Sequence, residues 1–442
     1  MDNTERKGIP FKEIIKSAVF ANVSWILFGN IIHAILGFAL NIYTARILSQ
    51  NDYGILGYAT SLITFFSSLS LLGLNNTITK KFADSEQEGG TFLGTAIIMR
   101  ISVSLLSIAV LQIIVFLSNS DEPELPLIVF CQSLSVFFGS FDLFIYWYRY
   151  KNKAKKVAIL RLIAFALSAT WRVIALSVKK SIILYVCGVS AETLFFAIFL
   201  LFFYLTDYHK NKLRFSFKTA GSLLKISYPF IASTILVTIY AQTDKVMLKN
   251  IIDNNAVAGY TVSQTLANAI AIIPIAIIEG FRPAIMKNKN EDPIKYVKLL
   301  SLLYFLVFWI CILYCTVLTI FSYPIVNLFY GSRYGYISAT LSVIVWYTSF
   351  SYFGVINNIY LVSEDKTKFV QFITLGGALL NVLLNFLLIP QLGEMGAAVA
   401  SLVTQAFSNF IIYLFIPKIR PCIKIMIKGI FFPFFYLRRI KD

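Results

Sequence analysis

Charge is scarce in this sequence: Asp, Glu, Lys and Arg make up 14% of the 442 residues, and acids number only 22. Histidine occurs twice, at His33 and His209, so no HExxH helix or His-rich metal cluster is available. P-loops, DxD-type carboxylate pairs and Ser/His/Asp sets are missing as well, which leaves no acid–base or nucleophilic machinery and no ATP site. The five cysteines are Cys131, Cys187, Cys311, Cys315 and Cys422; four lie in apolar runs, and they give no disulfide framework. Cys311 and Cys315 share a helix face at i, i+4, but no second pair completes a metal site, and packing accounts for them. The chain is therefore expected to have no catalytic residues, no metal and no cofactor.

What is abundant is hydrocarbon. Hydrophobic residues make up 58% of the chain and its mean hydropathy is +0.74. At roughly 20 residues per span, that stock suffices for about a dozen membrane helices and exceeds what a soluble core uses. Windowed hydropathy places twelve spans, near 17–40, 54–75, 91–117, 125–147, 157–177 and 181–205, then 223–248, 256–280, 299–321, 337–361, 369–389 and 395–416. The predicted fold is an all-α integral membrane protein. Residues 1–16 are polar and basic and precede a span-length apolar run with no small-residue cleavage motif, the pattern of a retained first helix. Every connection is too short to hold a folded domain.

Basic residues outnumber acids 39 to 22, for a net charge of +17. With the N-terminus in the cytoplasm, the inner segments hold 30 of the 39 lysines and arginines, and the outer loops hold five. That bias predicts a multi-pass protein with both termini cytoplasmic. The excess faces the anionic inner leaflet, which explains the net charge without nucleic acid. The tail from 417 to 442 is basic and aromatic, is broken by Pro433, and is expected to lie along the cytoplasmic interface.

The chain also repeats itself. ARILSQNDYGILGYATSLITFF (45–66) and LKNIIDNNAVAGYTVSQTLANAI (248–270) each pass from a short polar loop, through a Tyr-Gly or Gly-Tyr entry, into a Ser/Thr-flecked helix. Six spans per repeat implies two pseudo-symmetric bundles, 17–205 and 223–416, joined by a cytoplasmic linker at 206–222, with a site between them near the midplane. The first stretch, with SLLGLNNTITKKFA (70–83), resembles the opening of bacterial oligosaccharide flippases. These are the Wzx-like polysaccharide biosynthesis branch of the multidrug/oligosaccharidyl-lipid/polysaccharide (MOP) exporter superfamily, which shares its fold with MATE transporters. TDKVMLKNIIDNNAVAGY (243–260), IVNLFYGSRYGYISATLSVI (325–344) and NVLLNFLLIPQLGEMGAAVASLV (381–403) carry the likeness through the second half.

The resemblance implies a flippase in the bacterial inner membrane. Its cargo would be an oligosaccharide repeat unit linked to undecaprenyl diphosphate, moved to the outer leaflet for O-antigen, capsule or exopolysaccharide synthesis alongside polysaccharide assembly proteins. Such a headgroup needs a polar, cationic path. Arg161 and Arg172 are eleven positions apart, which returns to within about 20° of one helix face, and Ser168 lies on that stripe. Together with Arg100 they form a candidate cationic cavity, because the guanidinium fork binds phosphate bidentately and keeps its charge. An arginine at the centre of a span costs roughly 2.5–3.5 kcal/mol, so each should face a cavity or an acid; Arg172 could pair with Glu192. Asp244 and Lys245 stand side by side in span seven but point about 100° apart, which makes them poor partners for each other. With Glu192 and His33 they are candidate gate or coupling groups.

Two other functions compete with this reading. A MATE-like drug or cation exporter would carry an acidic, aromatic cavity, whereas the buried charges here lean basic. A membrane glycosyltransferase or polymerase would need carboxylates that the outer loops do not supply.

Overall fold

In hydrocarbon every backbone N–H and C=O must be satisfied within its own segment, and the apolar runs of this chain accordingly fold as helices. A computed structural model describes residues 18–85, 88–118, 122–207 and 212–431. The expected N-terminal segment 1–16 and the end of the tail lie outside these residues. Among the described residues nine helices are long and apolar enough to cross a membrane, or eleven if each of two bent pairs counts as one span. The helix at the second predicted span, Gln50–Ser70, is not among them, because its serines and threonines dilute its hydropathy.

The described residues group into two compact units. Unit 1 holds the chain up to Leu40 together with Phe66–Ile231; unit 2 holds Asn41–Phe65 together with the chain from Ala232. Residues 41–65, which chain order assigns to the first expected bundle, thus group with the second half. Helices α1 (Ala18–Ile47), α2 (Gln50–Ser70) and α9 (Phe217–Ile251) each pass from one unit to the other.

Unit 1 further comprises α3 (Leu74–Asp84), α4 (Gly89–Ser118), α5 (Leu125–Phe138), α6 (Leu143–Tyr150), α7 (Ala154–Ser177) and α8 (Ile182–Asp207). Its core gathers Phe82, Leu93, Phe144, Trp147, Leu200 and Tyr204. A 3₁₀ turn, Gly139–Asp142, separates α5 from α6 in the middle of one span. Helix α4 shows what a lipid solvent does to amphipathy: Leu105, Leu106, Ile113, Phe116 and Leu117 are exposed, while Arg100, Ser104 and Ser107 are buried. Apolar side chains face outward at no cost in lipid, and the polar ones turn to the protein interior.

Unit 2 contains α10 (Asn254–Ala267), α11 (Ile272–Glu291), α12 (Pro293–Ile320), α13 (Ser322–Tyr330), α14 (Ser338–Ser363), α15 (Thr367–Leu392), α16 (Glu394–Ala406), α17 (Ile412–Phe415) and α18 (Arg420–Ile430). Asp253 caps α10 by accepting from the Ala256 N–H at 2.8 Å, as Asp292 caps α12 through Lys295 N–H at 3.0 Å. A 49° bend parts α10 from α11. Pro274 lies just past that break, where a missing N–H and a ring clash with the carbonyl four residues earlier prevent one continuous helix. Helix α9 likewise divides on either side of Pro229, into Phe217–Tyr228 and Phe230–Ile251. Helix α18 buries Cys422, Ile423 and Met426 in the core of unit 2 and leaves Arg420, Lys424 and Lys428 exposed. Cys311 and Cys315 are buried free thiols in α12, and Cys315 Sγ lies 3.4 Å from Ser349 Oγ.

Side-chain hydrogen bonds fasten residues 41–65 into unit 2. Arg46 Nε donates to Phe329 O at 2.8 Å and its Nη2 to Leu328 O; Arg333 Nη2 donates to Ala45 O; Gln50 Nε2 donates to Arg333 O at 2.9 Å. Tyr53 and Tyr330 both donate to Asn41 Oδ1 at 3.0 Å. At Gly54 a Cβ would stand 1.8 Å from the backbone oxygen of Asn254. Gly54→Ala is therefore expected to destabilise the protein by about 1–3 kcal/mol through overpacking, seen as a lower melting temperature in detergent. Gly37→Ala, whose Cβ meets nothing within 4 Å, serves as the control and should not lower it.

Candidate functional site

Unit 1 holds Ser168 and Arg161 on the same helix as Arg172, and it joins three of the predicted residues, His33, Arg172 and Glu192, in one polar network. Glu192, on α8, is its hub: Arg172 Nη2 of α7 donates to Glu192 Oε2 at 2.7 Å, and His33 Nε2 of α1 lies 2.9 Å from Glu192 Oε1. Phe165 backs both partners, with the His33 ring edge-on at 4.8 Å between centroids and the Arg172 guanidinium 5.5 Å from the ring. Ser168 is fully buried on the Arg172 stripe, but its hydroxyl donates to Gly188 O at 2.8 Å and so joins α7 to α8. Gly188 permits that approach, since a Cβ there would lie 2.7 Å from Arg172 Cγ and from Trp171 Cδ1. Arg161, about three turns from Arg172 on α7, stacks its guanidinium 5.9 Å from the Phe196 ring.

Arg100 stands apart from this pairing. It is 3% exposed, and neither its Nε nor its Nη1 has a hydrogen-bond partner. Its electrostatic counterweight is Asp142, which also attracts Arg161. Asp142 is a functional candidate that the sequence reading missed. The 3₁₀ turn Gly139–Asp142 brings it to the arginines, and the Gly-Ser pair at 139–140 was the signal that the helix breaks there. Arg149, counted above among the loop charges, shares with Arg161 and Asn30 the lining of a slot of about 20 Å³, room for a water and little more. Arg100, Arg161 and Arg172 thus meet two acids, Asp142 and Glu192, within one unit.

Asp244 and Lys245 lie in unit 2. Asp244 is 2% exposed and accepts from neutral donors on three other helices: Tyr260 Oη of α10, Asn385 Nδ2 of α15 at 2.6 Å and Ser401 Oγ of α16 at 2.6 Å. Asn385 also donates to Asn381 Oδ1 at 3.1 Å. Lys245 is buried too, yet among the described residues the two form no ion pair, as their 100° separation on the helix requires. Tyr260 and Ser401 lie in the quoted stretches 243–260 and 381–403, but at 16 and 157 positions from Asp244 nothing in the sequence pairs them with it. No group of three or more His, Cys, Asp or Glu side chains poised to hold a metal occurs among the described residues.

Comparison with known proteins adds a family and a fold. A family model described as polysaccharide biosynthesis protein matches residues 19–288, and one described as MatE matches residues 229–387. Among curated proteins, none matches the sequence. The structure is similar to an inward-facing multidrug resistance MATE family transporter of the MOP superfamily, with a TM-score of 0.68 at 12% identity over 89% of this chain and 94% of that one. It is also similar to the lipid II flippase MurJ in an inward closed conformation, with a TM-score of 0.64 at 16% identity over 96% and 92%. A MOP superfamily transporter from Pyrococcus furiosus, described as having a binding pocket of reverse polarity, gives a TM-score of 0.60 at 12% identity over 96% of both chains. At these identities the likeness is one of fold.

Proposed function

The chain belongs to the polysaccharide biosynthesis protein family, and from that membership we propose that it is a flippase for an oligosaccharide unit linked to undecaprenyl diphosphate. It would carry this unit from the cytoplasmic to the outer leaflet of the bacterial inner membrane by alternating access. The observation that carries the reading is Arg100, a guanidinium buried within a span and left with two unpartnered nitrogens. Holding such a group costs free energy unless an anion uses it. A diphosphate supplies the oxygens that Arg100 lacks, and Arg161 with Arg149 offers a second cationic step. Arg172, held by Glu192 in this arrangement, becomes available when Glu192 turns to His33 alone. Both termini face the cytoplasm in this scheme.

With no ATP-site motif in the sequence, the energy would come from an ion gradient, the membrane potential or removal of product on the far side. Asp244 is suited to coupling, because a buried carboxylate whose hydrogen bonds come from neutral donors can take up a proton or a monovalent cation without breaking an ion pair. Asp244→Asn is expected to lower export about tenfold and to abolish its response to a collapsed ion gradient. Export that keeps its gradient dependence in this variant would remove Asp244 from the mechanism.

The function is tested by deleting the gene in its host. Surface polysaccharide should disappear and the lipid-linked intermediate accumulate with its sugars on the cytoplasmic side, while susceptibility to cationic drugs is unchanged. A raised drug susceptibility with intact polysaccharide would instead make the chain a drug exporter.

A further inference from the structure

Unit 2 contains a cavity of about 250 Å³ to which nothing above assigns a role. Its polar lining comes from Tyr240, Arg282, Asn358, Thr374, Gln405 and Asn409, and its apolar lining includes Val237, Val355 and Ile373. The α14 and α15 residues of this lining lie about 8–18 Å from the nearer helix ends, at 1.5 Å per residue. At that depth a polar group without a partner is costly, yet Tyr240 Oη, Ser408 Oγ and Arg282 Nε are buried beside the cavity with none.

Local structure is arranged to produce this lining. Residues Phe407–Ile411 form a π-helical turn, a rare device common at functional sites. The turn is held by Asn357 Nδ2 donating to Asn409 O at 2.8 Å. Asn409 Nδ2 in turn donates to Gln405 Oε1 at 2.6 Å, which leaves the Gln405 amide N–H groups and the Asn409 side-chain oxygen for another partner. Two glycines make the room: a Cβ at Gly354 would lie 2.4 Å from Asn409 Oδ1, and one at Gly377 would lie 2.4 Å from Ser408 Oγ.

The chemistry selects a ligand class. No carboxylate lines the cavity, which disfavours a cation. The one arginine is tied to Glu279 at 2.7 Å, so the site offers little net charge to an anion. Amides and hydroxyls both donate and accept, and they alternate here with valine, isoleucine and a tyrosine ring. A sugar matches that pattern, with hydroxyls around its edge and C–H groups on its faces. The volume is enough for one sugar residue.

We infer that this cavity is a glycosyl subsite, in which one sugar residue of the cargo is held by Gln405, Asn409 and Tyr240. The inference rests on the flippase reading.

The test uses the full chain in a host carrying its own polysaccharide genes, with p-benzoylphenylalanine placed at Val355 or, as a second position on the cavity, at Val237, and at Tyr146 beside Arg100. After irradiation, adducts are analysed by mass spectrometry before and after mild acid, which releases sugar from a polyprenyl diphosphate. A sugar-bearing adduct at either cavity position is expected, and Gln405→Ala with Asn409→Ala should cut its yield about tenfold while the adduct at Tyr146 persists. Adducts at the cavity that carry only phospholipid or polyprenyl chain, or none there while Tyr146 captures the glycolipid, would overturn the subsite and leave the flippase reading standing. Failure to capture glycolipid at any of the three positions would overturn both.

Discussion

Export of the lipid-linked oligosaccharide proposed as cargo is expected to fall about tenfold to a hundredfold when Arg100 is replaced by alanine, with the protein still folded in the membrane. The magnitude follows from losing a charged hydrogen-bonding group, roughly 1.5–3 kcal/mol of cargo binding. The intact fold follows from the environment. Arg100 leaves Nε and Nη1 without partners, and Asp142 keeps Arg161 as a second attraction, so truncation removes an unsatisfied buried charge. Lysine at the position should restore export only in part, since it keeps the charge and loses the fork. Complementation of a deletion strain measures the first effect, and a melting curve in detergent measures the second. Full export by the Arg100→Ala, Arg172→Ala double variant would end the cationic-path mechanism.

Glu192→Ala is the second large effect, and here stability carries it. The substitution strands Arg172, 8% exposed, and removes the partner of His33 at the same time. Breaking a buried pair from one side costs about 3–5 kcal/mol, enough to lower the yield of folded protein as well as its melting temperature. Glu192→Leu combined with Arg172→Met removes both charges and should recover most of the loss in stability without recovering export. A Glu192→Ala protein that melts like its parent but does not export would make the carboxylate a moving part and not a structural one.

These two arginines also mark how far the sequence could be read. Span positions follow from local composition, because hydrocarbon imposes one rule on every residue of a segment. A described helix or helix pair overlaps each of the twelve segments that windowed hydropathy places, although among the described residues nine to eleven pass as membrane spans, and the short helices α3 and α13 do not show in the hydropathy. The Arg172–Glu192 pair was open to the same reasoning, as one of two ways to offset a charge within a span. That His33 shares the carboxylate depends on where α1 meets α8, 159 positions along the chain. Asp142 was hidden for a different reason: hydropathy averages across a span, so the 3₁₀ turn at Gly139–Asp142 disappears into its window. Ser168 shows the limit of periodicity, which places a side chain on a face without saying whether the neighbour on that face is a cavity or the Gly188 carbonyl.

The grouping of residues 41–65 with unit 2 bears on how the protein is made. Arg46 leaves the ribosome 283 residues ahead of Phe329, whose carbonyl it caps. At roughly 5–20 residues per second, α1 and α2 wait about 15 to 60 s in the bilayer before their partners arrive. During that interval the Arg46 guanidinium, the Asn41 amide and the bare backbone face at Gly54 are open to lipid headgroups, water or assembly factors. An N-terminal half-molecule would keep them in that condition indefinitely. Assembly therefore finishes late, after the α13 region has been inserted, and quality control acting on nascent membrane proteins has its longest opportunity at the first hairpin synthesised.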